Sequence, residues 1–467
     1  MATNEEEKRI EFRGGMFGLI LPFLVLFAGI IWLSVEGKAM PMAFWAPTLA
    51  AILVALLVAK NPTQCADCLI EGMANNMVAI MLMAWFLAGI VAEIMKATGL
   101  VEGLIWLCLK VGINGAFFPV ITFICGSMLS TATGTALGTV ISLAPILYPV
   151  GVALGANPPL MLGAIVSSAY FGDNIAPVSD TTIASAYSQG VGVSAVVRSR
   201  LKYAFTAAGI ASVLFIIFGF QGRVAVEDVD LSFIGAVEPK GLIMMVIPLL
   251  LIFLMYRGVH LVVALTGAAA IGILLGVVTG LLPASQILVV DMDTFSVGGV
   301  IVNGVNSLID IAVFAMLLMG LINLLEKGGF FTAMMEKLSK YTETPAKAEF
   351  AIAIMNVILC ALTVANSVVI VMEGPIAKHL LVEKHNITPD RSANILDAVS
   401  CSAMCLIPYS FAPMLAFMFA NGSGAPVNFS LNRAVLYSFH GWCLGVVMLV
   451  SIAIGWGRTY QDGRRDR

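Results

Sequence analysis

Gly172-Asp-Asn-Ile-Ala-Pro-Val-Ser-Asp-Thr-Thr182 sets two carboxylates, an amide and three hydroxyls inside a run otherwise apolar enough to cross a bilayer. Pro177 stands in its middle, and a proline there removes one backbone donor and clashes with the preceding turn. The helix is expected to break at this point. At membrane depth, backbone groups freed in this way are tolerated only when buried in protein or facing a watery cavity. Hard oxygen ligands beside unwound backbone point to an ion site.

The surrounding composition agrees. Of the 467 residues 60% are hydrophobic and 11% charged, against about 25% charged in soluble proteins. This predicts an all-α polytopic membrane protein in the cell (inner or plasma) membrane, with the lipid bilayer as its main partner and no nucleic-acid partner. The first apolar run, Met16–Leu33, lacks a small-residue cleavage site, so it reads as a retained span and not as a signal peptide. Cys65-Ala-Asp-Cys68 and Cys401-Ser-Ala-Met-Cys405 have no second His or Cys pair to complete a zinc pattern, and the eight cysteines are expected to be free thiols. Neither a His-Glu-x-x-His pattern nor a Gly-x-Ser-x-Gly pattern with a histidine occurs in the spans. A membrane-embedded enzyme is therefore not expected, nor is a cofactor.

Hydropathy and breakers place full spans at about 16–35, 41–59, 73–95, 158–189, 203–220, 239–256, 259–280, 306–326, 391–420 and 434–456. Two longer apolar stretches, 115–155 and 346–383, are interrupted by Ser130-Thr-Ala-Thr-Gly-Thr135 and Thr363-Val-Ala-Asn-Ser367, and each reads as a re-entrant hairpin. With the N-terminus inside, the cytoplasmic segments carry 19 of the 25 Lys and Arg, as the positive-inside rule requires; both termini are then cytoplasmic. Gly192–Tyr203 and Phe330–Tyr341 are amphipathic and are expected along the inner surface.

The halves also repeat. Gly89 and Lys96 match Gly320 and Lys327 at an offset of 231, Pro145 and Pro159 match Pro375 and Pro389 at 230, and Pro177 and Ser179 match Pro408 and Ser410 at 231. The expected plan is two inverted five-span repeats, each with a re-entrant hairpin and a broken helix. Residues 1–220 form the first (hairpin 115–155, broken span 158–189) and 239–467 the second (hairpin 346–383, broken span 391–420), with 221–238 as an extracytoplasmic linker. Secondary transporters are built this way, with binding at the midplane where the broken helices meet.

Each ionisable group inside a span costs roughly 2.5–3.5 kcal/mol on insertion scales. Those read in spans are Glu93, Asp173, Asp180, Asp310, Glu373 and Asp397, all acidic, and no arginine is placed in any span. Carboxylates taken out of water favour the neutral form, so a proton and a cation compete for them. Asp173, Asn174, Ser179, Asp180 and Thr181 are the expected ion and proton ligands, with sodium at Asp173 and Asp180. Asp180 also fits a helix cap. Thr133, Thr135, Thr363, Asn366 and Ser367 supply the hairpin tips, although such side chains also bond back to their own helices. Glu373 and Asp397 are read either as proton relays or as satisfied structural acids. Asn174 matches Cys405 and Asp180 matches Phe411 in the second half, so the site is weighted toward the first.

These motifs resemble the NhaC family of sodium/proton antiporters, in the wider ion-transporter superfamily. Gly172–Thr182 is similar to its Gly-Asp-x-x-Ser-Pro-x-Ser-Asp-Thr-Thr signature, with Ala176 where serine is usual. Ser130–Thr135, Gly374-Pro-Ile376 and Leu396-Asp397 also look like that family. The resemblance implies exchange of sodium against protons by alternating access. Its relatives include a malate/lactate exchanger and amino-acid carriers, which leaves a second reading in which Tyr409, Asn366 and Ser367 make room for a small organic anion. A homodimer is compatible with either.

Overall fold

Two helical hairpins, each followed by a helix broken in its middle, organise the chain. The computed structural model describes residues 10–36, 38, 40, 42–177, 179–221, 238–257, 259–293, 295–330, 333 and 342–463. Before the first hairpin come α1 (Met16–Val35), α2 (Trp45–Val58), α3 (Pro62–Met73), α4 (Asn76–Ala97) and α5 (Leu100–Val111). The hairpin is α6 (Phe118–Thr133) and α7 (Ala136–Ala153). The broken helix is α8 (Pro158–Ile175) and α9 (Asp180–Gln189), followed by α10 (Val193–Gln221). The second half runs α11 (Val246–Tyr256), α12 (Leu261–Val278), α13 (Val300–Asn306) and α14 (Ile309–Lys327) into a hairpin of α15 (Pro345–Thr363) and α16 (Asn366–Ala377). A second broken helix, α17 (Pro389–Leu406) and α18 (Phe411–Gly422), leads to α19 (Leu431–Leu436) and α20 (Phe439–Ile454). Two short antiparallel strands, β1 (Val289–Asp291) and β2 (Ser296–Gly298), join α12 to α13.

The hairpin turns differ in chemistry. Gly134 ends α6 at φ +68°, and Thr135 then caps α7 by accepting the Gly138 N–H at 3.4 Å. The second turn puts Val364 at φ +51°, a region that β-branched residues rarely enter. At the first break the backbone leaves the helix at Ala176 and re-enters after Ser179, whose hydroxyl accepts the Thr181 N–H at 3.3 Å. The second break spans Ile407 to Ser410.

Burial grades inward. Every residue of α8 from Pro159 to Ile175 is buried, and α17 is buried from Arg391 to Cys405. Leu24, Ile31, Leu274 and Val278, on α1 and α12, stay exposed, as a lipid-facing surface should. α8 packs against α6, α7 and α10, and α17 against α15, α16 and α20, so the two broken helices form the centre. Glycine sets one of these contacts: a methyl group on Gly172 would overlap Ser130 and the Thr131 backbone nitrogen, so α6 meets α8 beside Asp173.

Eight segments among the described residues are long and apolar enough to cross a membrane. The chain is a multi-pass, mostly helical membrane protein. The expected spans at 41–59, 239–256 and 434–456 are present as shorter apolar helices. Three differences from the sequence reading stand out. The stretch 192–203 is not a separate surface helix but the first part of the 29-residue α10, since no Gly or Pro breaks the ladder between Val193 and the apolar part that follows. Helices α3 and α5 form where no span or separate helix was expected; α3 begins on an Asn61 cap with Pro62 in its first turn. Within the expected second hairpin, 346–383, the returning limb does not stay α-helical to its end but widens after α16 into a π-helical turn, Lys378–Lys384. Residues 222–237, nearly all of the expected linker, and most of Phe330–Tyr341 lie outside the described residues.

Candidate functional site

The first break and the second hairpin tip border one small cavity that mixes polar and apolar walls. Its volume is about 90 Å³ and its walls include Thr135, Tyr170, Asp173, Asp180, Asn366, Ser367, Met404 and Phe411, enough for a few waters at ~30 Å³ each. Asp173 is buried at 3% exposure. Its Oδ1 accepts the Ser179 hydroxyl at 2.8 Å and its Oδ2 accepts the Asn366 amide at 3.3 Å. Asp180 is more exposed; it accepts the Ser367 hydroxyl, and its other oxygen accepts the Thr181 N–H at 3.0 Å. Ser179, not Asp180, is the N-cap of α9, so the cap role falls one residue earlier. Thr181 shares a hydroxyl–hydroxyl bond of 2.8 Å with Ser179.

A second cluster lies behind the cavity. Asp397 on α17 accepts from Arg200 on α10 in an ion pair, both side chains being fully buried. It also takes the Thr182 hydroxyl at 3.3 Å, the Asn174 amide at 3.4 Å and the Cys401 thiol at 3.2 Å. Arg200 donates further to Asn394 at 3.0 Å, to Thr182 at 3.0 Å, to Ser185 at 3.3 Å and to the backbone carbonyl of Asn174 at the break. One guanidinium thus ties both broken helices together. This corrects the expectation that the spans hold no arginine. With Asp173, Asp180 and Asp397 ionised, Arg200 balances one charge and leaves two for a cation or protons to balance.

Elsewhere Glu349 on α15 is fully buried between Arg391, at 2.8 Å, and Arg458, at 2.7 Å; it was not among the acids read in spans. The sequence did carry a signal for Arg200. Val196, Arg200, Tyr203, Ala204, Ala207 and Ala211 are buried at helical spacing, which puts the arginine on the inward stripe of α10. The remaining expected residues are more scattered. Thr363 bonds back to the Leu359 carbonyl at 2.9 Å and does not line the cavity; Thr133 closes α6. Glu373 is fully buried and accepts the Asn356 amide at 2.8 Å. Glu93 and Asp310 are half-buried, apart from these clusters. His440 is buried between Phe123 and Phe171 with neither ring nitrogen hydrogen-bonded among the described residues.

The first half of this arrangement has known counterparts. Residues 14–220 match the model of the Na+/H+ antiporter family. That stretch contains the first hairpin, the first break and Arg200. Over 206 residues the chain is 29% identical to the malate-2H+/Na+-lactate antiporter of Bacillus subtilis, covering 44% of this chain and 42% of that protein. Over 214 residues it is 28% identical to the Na+/H+ antiporter NhaC of Alkalihalophilus pseudofirmus, covering 45% of each. The chain thus aligns with less than half the length of these curated relatives. Among solved structures, the YdaH transporter of Alcanivorax borkumensis aligns over 84% of this chain and 88% of its own, at 13% identity and a TM-score of 0.41. The matched antiporter region supplies Asp173 and Asp180; Asn366, Ser367 and Asp397 lie beyond it.

Proposed function

We propose that this chain is a secondary active transporter that exchanges sodium for protons by alternating access. The observation that carries the reading is the joint enclosure of Asp173 and Asp180 with Thr135, Asn366 and Ser367 in one small cavity between a helix break and a hairpin tip. Sodium, a hard cation, suits this set of carboxylate, hydroxyl and amide oxygens. Sodium needs the ionised carboxylates and protonation removes its ligands, so the two cargoes exclude one another. The fold reading that goes with it is two inverted five-span repeats, 1–220 and 239–467, joined by 221–238, both termini cytoplasmic. The paired hairpins and breaks support it. Asp397 then acts through its ion pair, holding the two breaks together.

In proteoliposomes, Asp173→Asn is expected to abolish sodium-dependent proton movement. Retained movement would remove Asp173 from the mechanism. A second reading, coupled transport of a small organic anion, draws on the apolar wall of Tyr170, Met404 and Phe411 and on the similarity to the malate-2H+/Na+-lactate antiporter of Bacillus subtilis. Uptake of labelled malate, lactate and amino acids by the same vesicles separates the two, because sodium-dependent uptake of any of them would sink plain antiport.

A further inference from the structure

Glu373 is a buried acid that the cavity mechanism does not use and that, unlike Glu349, forms no ion pair among the described residues. It lies on α16, seven positions beyond Asn366. Seven residues are two turns, or ~10 Å along the axis, and return to nearly the same face. Glu373 therefore shares the face that Asn366 turns toward Asp173, but sits deeper, toward the end that continues into Lys378–Lys384. Its side chain is fully buried and is not part of the cavity wall. Oε2 accepts the Asn356 amide at 2.8 Å, and the same amide nitrogen reaches the Leu396 carbonyl at 3.2 Å. Oε1 has no hydrogen-bond partner among the described residues.

Among the described residues no counter-ion faces it. α15 brings Cys360, whose thiol bonds Asn356 at 3.7 Å, and Glu349, held by Arg391 and Arg458. α17 brings Asp397, already paired with Arg200. α9 presents Ser188 and Gln189, the latter donating to the Gly374 carbonyl at 2.9 Å, with Asp180 at its far end on Ser367. In the π-helical turn His379 pairs with Glu383 at 3.0 Å, Lys384 donates to Thr342 at 3.0 Å, and Lys378 lies near Gly190. Burying an ionised carboxylate with one neutral donor and no cation among the described residues is costly. The lining of the cavity does not include Glu373, so it lies apart from the proposed sodium ligands.

We propose that Glu373 is a second proton-binding site, separate from the Asp173–Asp180 cavity. It holds a proton while the segment between the cavity and the Lys378–Lys384 turn is packed, and releases it to water when that segment opens. The carboxylic acid then becomes a carboxylate and water becomes hydronium. This deepens the antiport reading and rests on it for the direction of release: each cycle carries one proton on Glu373 beyond those exchanged against sodium.

Two measurements test it. In infrared difference spectra at neutral pH, wild type minus Glu373→Gln should show the carbonyl band of a protonated carboxylic acid; its absence overturns the proposal. In vesicles, Glu373→Gln should keep sodium transport but move one proton fewer per cycle, with a flatter dependence on pH. A wild-type proton-to-sodium ratio overturns it too. Should Glu373→Gln fail to fold, Asn356→Ala must shift the same band, because that amide is the acid's hydrogen-bond donor; an unmoved band refutes the assignment. Wild-type vesicles without sodium-driven proton flux would end the antiport reading while leaving the infrared result standing.

Discussion

Replacing Arg200 by glutamine isolates the tie between the broken helices. Arg200 is fully buried with Asp397, and it donates to Asn394, Thr182, Ser185 and the Asn174 carbonyl as well. Glutamine keeps part of the volume and at most two of these bonds, and it leaves Asp397 with only the Thr182, Asn174 and Cys401 donors. Removing one member of a buried pair costs about 3–5 kcal/mol, because the other charge stays behind. Typical whole stabilities are only ~5–15 kcal/mol, so the variant should unfold far earlier in denaturant. Arg200→Gln with Asp397→Asn removes both charges and should recover on the order of 2–3 kcal/mol relative to the sum of the single changes. The assay is denaturant unfolding of micelle-solubilised protein, followed by the fluorescence of the six tryptophans. Additive single changes, or an Arg200→Gln variant as stable as the parent, would refute the pairing and with it the neutralisation of Asp397.

Two other substitutions probe the frame of the site. Gly172→Ala pushes a methyl group into Ser130 and the Thr131 nitrogen, so it should cost about 1–3 kcal/mol through overpacking and lower transport by prising α6 from α8; unchanged unfolding and transport would contradict the close approach. Gly134→Ala places a Cβ at φ +68° and should cost about 1–2 kcal/mol, seen as an earlier unfolding midpoint, with no loss if the turn is not left-handed.

Much of this was legible in the chain because proline and glycine act locally. Pro177 and Pro408 mark both breaks, and the small polar runs mark both hairpin turns. The acids of the first break also stood out against apolar neighbours. Pairing over long separations was not legible. Arg200 and Asp397 lie 197 positions apart, and a count of basic residues by loop put the arginine in the cytoplasm because its neighbours Arg198 and Lys202 are charged too. Glu349 escaped notice for the same reason, being near the start of a helix with Lys347 beside it. Val364 shows a different limit: its left-handed turn is imposed by the packing of α15 and α16, against the residue's own preference.

The length of α10 carries a mechanical consequence. Its 29 residues make a rod of ~44 Å without a proline or an internal break. Near one end Arg200 grips both broken helices; near the other, Gly219 lies so close to Ala116 that a methyl group there would overlap its carbonyl. A continuous helix clamped near both ends does not let those ends drift independently. The approach to the first hairpin and the two unwound crossings should therefore travel as one piece, and gating should show up as sliding along the borders of that piece.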